Sequence, residues 1–196
     1  MDKKTKIKVT LITIVGLIVA YIYFNRIQLI DDLKFVQRQN KWEKEKPKGQ
    51  LINGRKNGEW TTYFKNGQLA SIENYKEDTL HGTQIYYTPK GLYKLKANYY
   101  NGIKVDSFLM YTVNGTLNFE EFRDSMGRRQ GLFKVYDSNG QITQIGEYKD
   151  GEFNGEFRTF FNTGQLKTIK NYKLGAPTGR WIELSETGDT IKVEQK

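Results

Sequence analysis

The sequence predicts an all-β repeat fold: an elongated single meander of β-hairpins, in about six 24-residue repeats, preceded by one N-terminal transmembrane helix. Three observations predict it. Near-identical units open at Gly58, Gly82, Gly131, Gly155 and Gly179, with a degraded copy at Ser107, so the starts fall 24, 25, 24, 24 and 24 residues apart. A second glycine keeps step inside each unit, at Gly67, Gly91, Gly115, Gly140, Gly164 and Gly188. The third observation is an apolar run over residues 7–24. A period of this length marks one supersecondary element copied and stacked.

The N-terminal run, IKVTLITIVGLIVAYIYF, carries one charge, Lys8, and then none for sixteen residues. As a helix it reaches about 27 Å, close to the thickness of a hydrocarbon core. Lys3, Lys4, Lys6 and Lys8 flank its start, and Tyr21, Tyr23 and Phe24 lie at the far end, where amphipathic rings suit the lipid–water boundary. The positive-inside rule then puts residues 1–6 in the cytoplasm and everything after Arg26 outside it, as a single-pass protein of the cytoplasmic (inner) membrane. A cleaved signal peptide is the competing reading, but Ile18 is bulky and Tyr21 follows Ala20 at once, which makes a poor cleavage site. Leu29, Leu33 and Val36 then make an apolar stripe on a helix through about Asn40, so residues 25–48 read as a juxtamembrane helical spacer that breaks at Pro47. The same stripe suits a dimer seam or the lipid surface.

Residues 49–196 hold the repeats. Asn66-Gly67, Asn114-Gly115 and Asn139-Gly140 are flanked by strand formers, and such pairs predict type I′ hairpin turns. The first strand of each hairpin carries Trp60 with Tyr63, Ile85 with Tyr87, Phe133 with Tyr136, Phe157 with Phe160, or Trp181 with Leu184. The second carries Leu69, Ile72 and Tyr75, then Ile142, Ile145 and Tyr148, then Leu166, Ile169 and Tyr172. A spacing of three sends successive residues to opposite faces of a regular strand. Either both faces are partly covered, or a bulge in each strand restores the set to one side, and the bulge is favoured here. A β-solenoid with one coil per unit is the rival fold, with less use for Asn-Gly turns. Links such as YKDGEFNG (148–155) and YKLGAPTG (172–179) join the hairpins, and the last unit, ending TGDTIKVEQK, turns polar as a cap should.

Composition narrows function. The formal charge is +9, but residues 1–50 hold 11 Lys/Arg against 5 Asp/Glu while residues 51–196 hold 20 against 17. Charges of both signs are interspersed along the repeats, which reads as a solvated surface and not as a footprint for nucleic acid. With no cysteine there is no disulfide framework, thiolate metal site or cysteine nucleophile. His81 is the one histidine, and it stands where other units have Asn57, Gln130, Asn154 and Thr178, so it reads as a turn residue. Adjacent pairs such as Asp31-Asp32 and Glu120-Glu121 point apart in extended structure and cannot share a reaction centre. No phosphate loop or nucleophile elbow occurs, because the glycines recur at hairpin turns. The expectation is a non-enzymatic chain with no catalytic residue, no metal, no cofactor and no small-molecule substrate.

The recurrent G-x-aromatic, Asn-Gly turn and Tyr-x-x-Gly over residues 49–192 resemble the MORN-repeat family, in the bacterial variant labelled antitoxin-like. VYDSNGQITQIGEYKDG (135–151) also looks like a YD repeat of polymorphic toxins, but the strict period fits MORN better. The resemblance implies repeated hairpins in one elongated sheet, with roles in scaffolding, self-association and membrane contact, and it carries no catalytic residue. Ser107, with its turn one residue early, departs from the pattern and predicts a break in the sheet.

One constellation remains: Trp60, Tyr63, Tyr87, Tyr111, Tyr136, Phe160 and Trp181, expected to lie in register as one aromatic column for packing or for binding a partner. The reading that follows is a membrane-anchored repeat scaffold for protein–protein interaction, with a protein partner or another copy bound outside the cytoplasm and the membrane engaged through residues 7–24. An antitoxin or immunity protein, and an envelope glycan or cell-wall binding module, are the alternatives. Choline-binding modules use aromatic hairpins similarly but are richer in Trp.

Overall fold

The computed structural model describes residues 43–196. The basic tail, the expected membrane-spanning run 7–24 and the helical stretch to Asn40 lie outside the described residues, as does the pair Asp31-Asp32. Among the described residues there is no helix. Fifteen strands are present: β1 (Lys48–Ile52), β2 (Arg55–Tyr63), β3 (Leu69–Lys76), β4 (Thr79–Leu80), β5 (Gly82–Tyr87), β6 (Tyr93–Tyr100), β7 (Ile103–Tyr111), β8 (Leu117–Arg123), β9 (Gly131–Tyr136), β10 (Ile142–Lys149), β11 (Glu152–Phe153), β12 (Gly155–Phe160), β13 (Leu166–Lys173), β14 (Ala176–Leu184) and β15 (Thr190–Gln195). They form one antiparallel sheet in chain order, β1-β2-β3-β5-β6-β7-β8-β9-β10-β12-β13-β14-β15, with β4 on β3 and β11 on β10. The sheet takes in part of the expected spacer: Lys44 bridges Phe64 and Glu45 N–H donates to Tyr63 O at 2.8 Å.

The Asn-Gly loops differ from expectation. Gly67 N–H donates to Phe64 O at 2.9 Å, Phe64 N–H donates to Gln68 O at 2.8 Å, and Gly67 has positive φ while Asn66 does not. This is a three-residue loop closed by a left-handed glycine, and Thr112 to Thr116 and Asp137 to Gln141 repeat its bonds. The two-residue turns with positive φ at both positions lie in the links instead, at Asn53-Gly54, Glu77-Asp78, Asn101-Gly102, Asp150-Gly151 and Leu174-Gly175.

Every hairpin carries the expected bulge. Tyr63 pairs Leu69 while Thr62 pairs Ser71, leaving Ala70 as the extra residue. Lys94, Asn118, Thr143, Lys167 and Ile191 are the extra residues of the other hairpins. The bulge brings Leu69 and Ile72 to one face, because their partners Tyr63 and Thr61 are two apart. It does not capture Tyr75, three regular positions beyond Ile72, which packs edge-on against Trp60 on the opposite face at 6.5 Å. Both explanations of the three-residue spacing therefore apply, each to half of the triplet.

The sheet runs through unit three without a break. A second register shift stands at the start of each unit, leaving Gly58 and Glu59 unpaired with β1, and Asp106 and Ser107 unpaired with β6. The equivalent of Gly58 is thus Asp106, which takes the left-handed φ of 57° itself. Counted from Asp106, the turn glycine Gly115 stands at the same offset as in every other unit, and the extra residue moves to the next link. Aspartate, with its short polar side chain, is among the few residues besides glycine that visit this conformation routinely.

Candidate functional site

The sheet presents two chemically different faces. Trp60, Gln84, Phe108, Phe133, Phe157 and Trp181 occupy one position in successive units and share a face. Across from them, in register, stand Glu73, Ala97, Glu121, Gly146, Lys170 and Glu194. Trp60, Phe108 and Phe133 are buried, and Gln84 and Ala97 are wholly so. Gln84 fills a ring's place with an amide that accepts from Asn74 N–H at 3.1 Å and donates to Asn74 O at 3.0 Å. Rings run in contact along this aromatic face from Phe108 through Phe119 to Phe133, then to Tyr148, Phe153 and Phe157, and from Phe153 by Tyr172 to Trp181. Phe133 touches four rings and forms the centre of the core. Gly146 lies beneath it, where a Cβ would come within 2.7 Å of the Phe133 ring and 3.0 Å of Phe157.

Cations cover the rings. Lys56 lies over Trp60 and Tyr75, Lys104 over Phe108 at 3.9 Å, Arg129 over Tyr148 at 5.0 Å, and Lys170 and Lys196 over Trp181. Their stems and charges shield apolar surface that has no second layer among the described residues. Burial, then the neighbouring Arg123, lowers the Lys104 pKa.

Near the irregular link after Arg123, the buried Glu121 carboxylate is held by Arg123 at 2.6 Å and Arg129 at 2.8 Å. Its sequence neighbour Glu120 lies on the other face with Lys134 and the Tyr136 O–H, at 2.7 and 2.8 Å. The two carboxylates thus point apart, as extended geometry requires. At Glu73, two tyrosine O–H groups converge: Tyr86 donates at 2.6 Å and Tyr75 at 3.0 Å. Burial, reinforced by Glu73, pushes the Tyr75 pKa up to about 12 and raises that of Tyr86 as well.

The predicted column does not exist as one surface. Trp60 and Trp181 belong to the aromatic face, whereas Tyr63, Tyr87, Tyr111, Tyr136 and Phe160 stand three residues further along their strands and look out of the other. There, paired across the hairpin, are Tyr63 with Leu69, Tyr87 with Tyr93, Tyr111 with Leu117, Tyr136 with Ile142 and Phe160 with Leu166. Tyr87 stacks on Tyr93 at 5.3 Å, and Tyr93 meets Tyr111 at 5.6 Å. A second row crosses this mixed face without interruption: Thr61, Ile72, Ile85, Lys96, Leu109, Glu120, Lys134, Ile145, Arg158, Ile169, Ile182 and Val193, each paired with the next. Its apolar members are half-buried or exposed.

His81 sits in a series of clamps between links. Asn57 accepts from Glu77 N–H at 3.1 Å, Gln130 from Asp150 N–H at 2.7 Å, and Asn154 from Leu174 N–H at 3.4 Å. His81 Nδ1 lies 3.5 Å from the equivalent Asn101 N and 3.2 Å from Asn101 Oδ1, and its ring rests on Tyr100. Each such residue steadies the left-handed turn of the next unit. Asn74, Asn98 and Asn171 do the same for the unit starts, donating to Thr83 O, Ser107 O and Arg180 O. Among the described residues no group of three His, Asp or Glu is placed to hold a metal ion.

The MORN repeat variant matches this chain at residues 56–77, 129–150 and 153–174. The chain carries MORN repeats. Each matched MORN repeat begins two residues before a unit glycine, at Lys56, Arg129 or Phe153, the residue laid over the neighbouring rings, and ends in the left-handed link turn. The units outside these matches include those with Gln84 in the ring's place and Asp106 in the glycine's. No curated protein matches the chain. Sequence reasoning missed the Glu121 cluster and the part played by Phe119 and Phe153 in the ring contacts; the signal for the first was the one 25-residue interval.

Proposed function

We propose that this MORN-repeat chain is a non-enzymatic, membrane-anchored scaffold that binds protein through the mixed face of its sheet, with residues 7–24 as the anchor and the repeats outside the cytoplasm. MORN repeats commonly serve as protein- or membrane-binding modules. The observation that carries the reading is the row from Thr61 to Val193, one residue from each of twelve strands, in which half-exposed Ile, Leu and Val alternate with patches of charge. An apolar row with a charged surround is the composition of a protein-binding surface. The aromatic face, by contrast, is occupied with its own packing and its covering cations.

The test is co-purification of the full chain from membranes. Ile85→Glu and Ile145→Glu, which put charge on the mixed face without touching the ring contacts, should abolish capture of the partner while leaving the β-sheet circular dichroism intact. Undiminished capture by both variants would refute the reading. A tight one-to-one complex with a toxin would refine it to an immunity role.

A further inference from the structure

The sheet has two open edges among the described residues, β1 and β15, and they are not equivalent. Pro47, which has no N–H, precedes β1, and Lys44, Lys46 and Lys48 line that approach, the features that blunt an edge against pairing. β15, TIKVEQ, has no proline, and its Ile191 and Val193 are 64% and 47% exposed. The polar cap expected of the last unit is therefore one-sided: Lys192 and Glu194, paired with each other, cover Trp181 and Glu183 on the aromatic face, while Ile191 and Val193 stay exposed.

Strand parity limits what this edge can take. The path holds thirteen strands, every neighbouring pair antiparallel, so β1 and β15 run the same way. Continuing the sheet head to tail onto β1 of another copy gives a parallel pair, or, if that copy is turned over to make it antiparallel, joins the aromatic face of one to the mixed face of the other. A two-fold axis along the sheet normal, placing β15 beside β15, keeps the pairing antiparallel and both faces continuous.

We propose that β15 is a self-association edge, pairing with β15 of a second copy about a two-fold axis at Val193. Lys196 N–H donates to Gly179 O, so by the two-residue alternation of the ladder Glu194 also bonds towards β14, and the N–H and C=O of Val193 and Gln195 face outward, free for a partner strand. Charge selects the register. With Val193 opposite its own copy, Lys192 faces Glu194 of the second copy twice over; centring on Lys192 or on Glu194 sets like charges opposite one another. The Val193 register also joins the apolar end of the mixed-face row, Ile169, Ile182 and Val193, to the same three residues of the second copy. The inference deepens the scaffold reading, since it names one protein partner, but it concerns the edge and not the face.

The absence of cysteine from the chain makes the test clean. In the paired strands Val193 and its copy have Cα atoms about 5.5 Å apart, within disulfide reach, whereas Gln195 and its copy are offset by four residues, roughly 14 Å. Val193→Cys in the full chain in its membrane, oxidised with diamide, should give self-linked dimer severalfold above Gln195→Cys. Adding Lys192→Glu to Val193→Cys should cut the yield, and adding Glu194→Lys to that pair should restore it, which a mere folding defect would not do. Equal yields at 193 and 195, or no rescue by the charge exchange, would overturn the proposal while leaving partner capture by the mixed face untouched.

Discussion

Trp60 and Tyr63 sit three residues apart on β2 and look out of opposite faces of the sheet, Trp60 opposite Glu73 and Tyr63 opposite Leu69. The same offset recurs in every unit. It divides the aromatic residues into rings that build the fold and rings that remain on the mixed face. The effects of substitution should divide in the same way.

Phe133→Ala removes the ring at the centre of the core and should cost about 3 kcal/mol. Tyr87→Ala, on the mixed face, should cost about 1 kcal/mol or less. Urea unfolding of a chain lacking residues 1–26 checks both, and that chain should itself be a folded β-protein.

Gly146→Val tests the close approach beneath Phe133. The added side chain collides with Phe133 and Phe157, both fixed by neighbouring rings, so a loss of about 2 kcal/mol or more is expected in the same unfolding measurement.

Asp106 holds the left-handed position that glycine holds in other units. Asp106→Val should destabilise by about 1–2 kcal/mol, because a β-branched residue is strained at that φ. Asp106→Gly should be tolerated with little change. The pair of melting temperatures separates backbone strain from loss of the carboxylate.

Glu120 gives a pH dependence. The hydrogen bond from Lys134 is the main cause lowering its pKa from 4.5; burial works the other way and Tyr136 assists Lys134. A carboxylate whose folded pKa is depressed contributes stability above its unfolded pKa and loses it as pH falls through the folded one. Glu120→Gln should therefore be less stable than the parent at pH 7, by about 0.5–1 kcal/mol, with the gap closing below about pH 4.

Much of this fold was legible in the sequence because turn glycines and packing aromatics are local signals repeated six times. The hairpins, their order and their bulges follow from the period and from the three-residue spacing of Leu69 and Ile72. What escaped is what depends on counting along a strand in space. Ser107 is the residue that aligns with the glycines by eye, but the backbone assigns the left-handed position to Asp106. Asn66-Gly67 satisfies the sequence rule for a tight turn, yet closes a three-residue loop, while Glu77-Asp78 and Leu174-Gly175 make tight turns without the usual signature. Trp60 and Tyr63 share a strand and an aromatic chemistry but not a face, because an odd offset reverses the side chain. The ion cluster of Glu121 has no signature along the chain, because its partners Arg123 and Arg129 lie on either side of an irregular link that no repeat pattern describes.

The central claim is that partners meet the mixed face and not the aromatic one. A photo-crosslinking amino acid placed singly at Leu109 and Ile169 on the mixed face, and at Thr159 and Lys170 on the aromatic face, tests it in intact cells that make the full chain. The account predicts protein adducts from Leu109 and Ile169 and none from Thr159 or Lys170; adducts from the aromatic face alone, or from neither face, would contradict it.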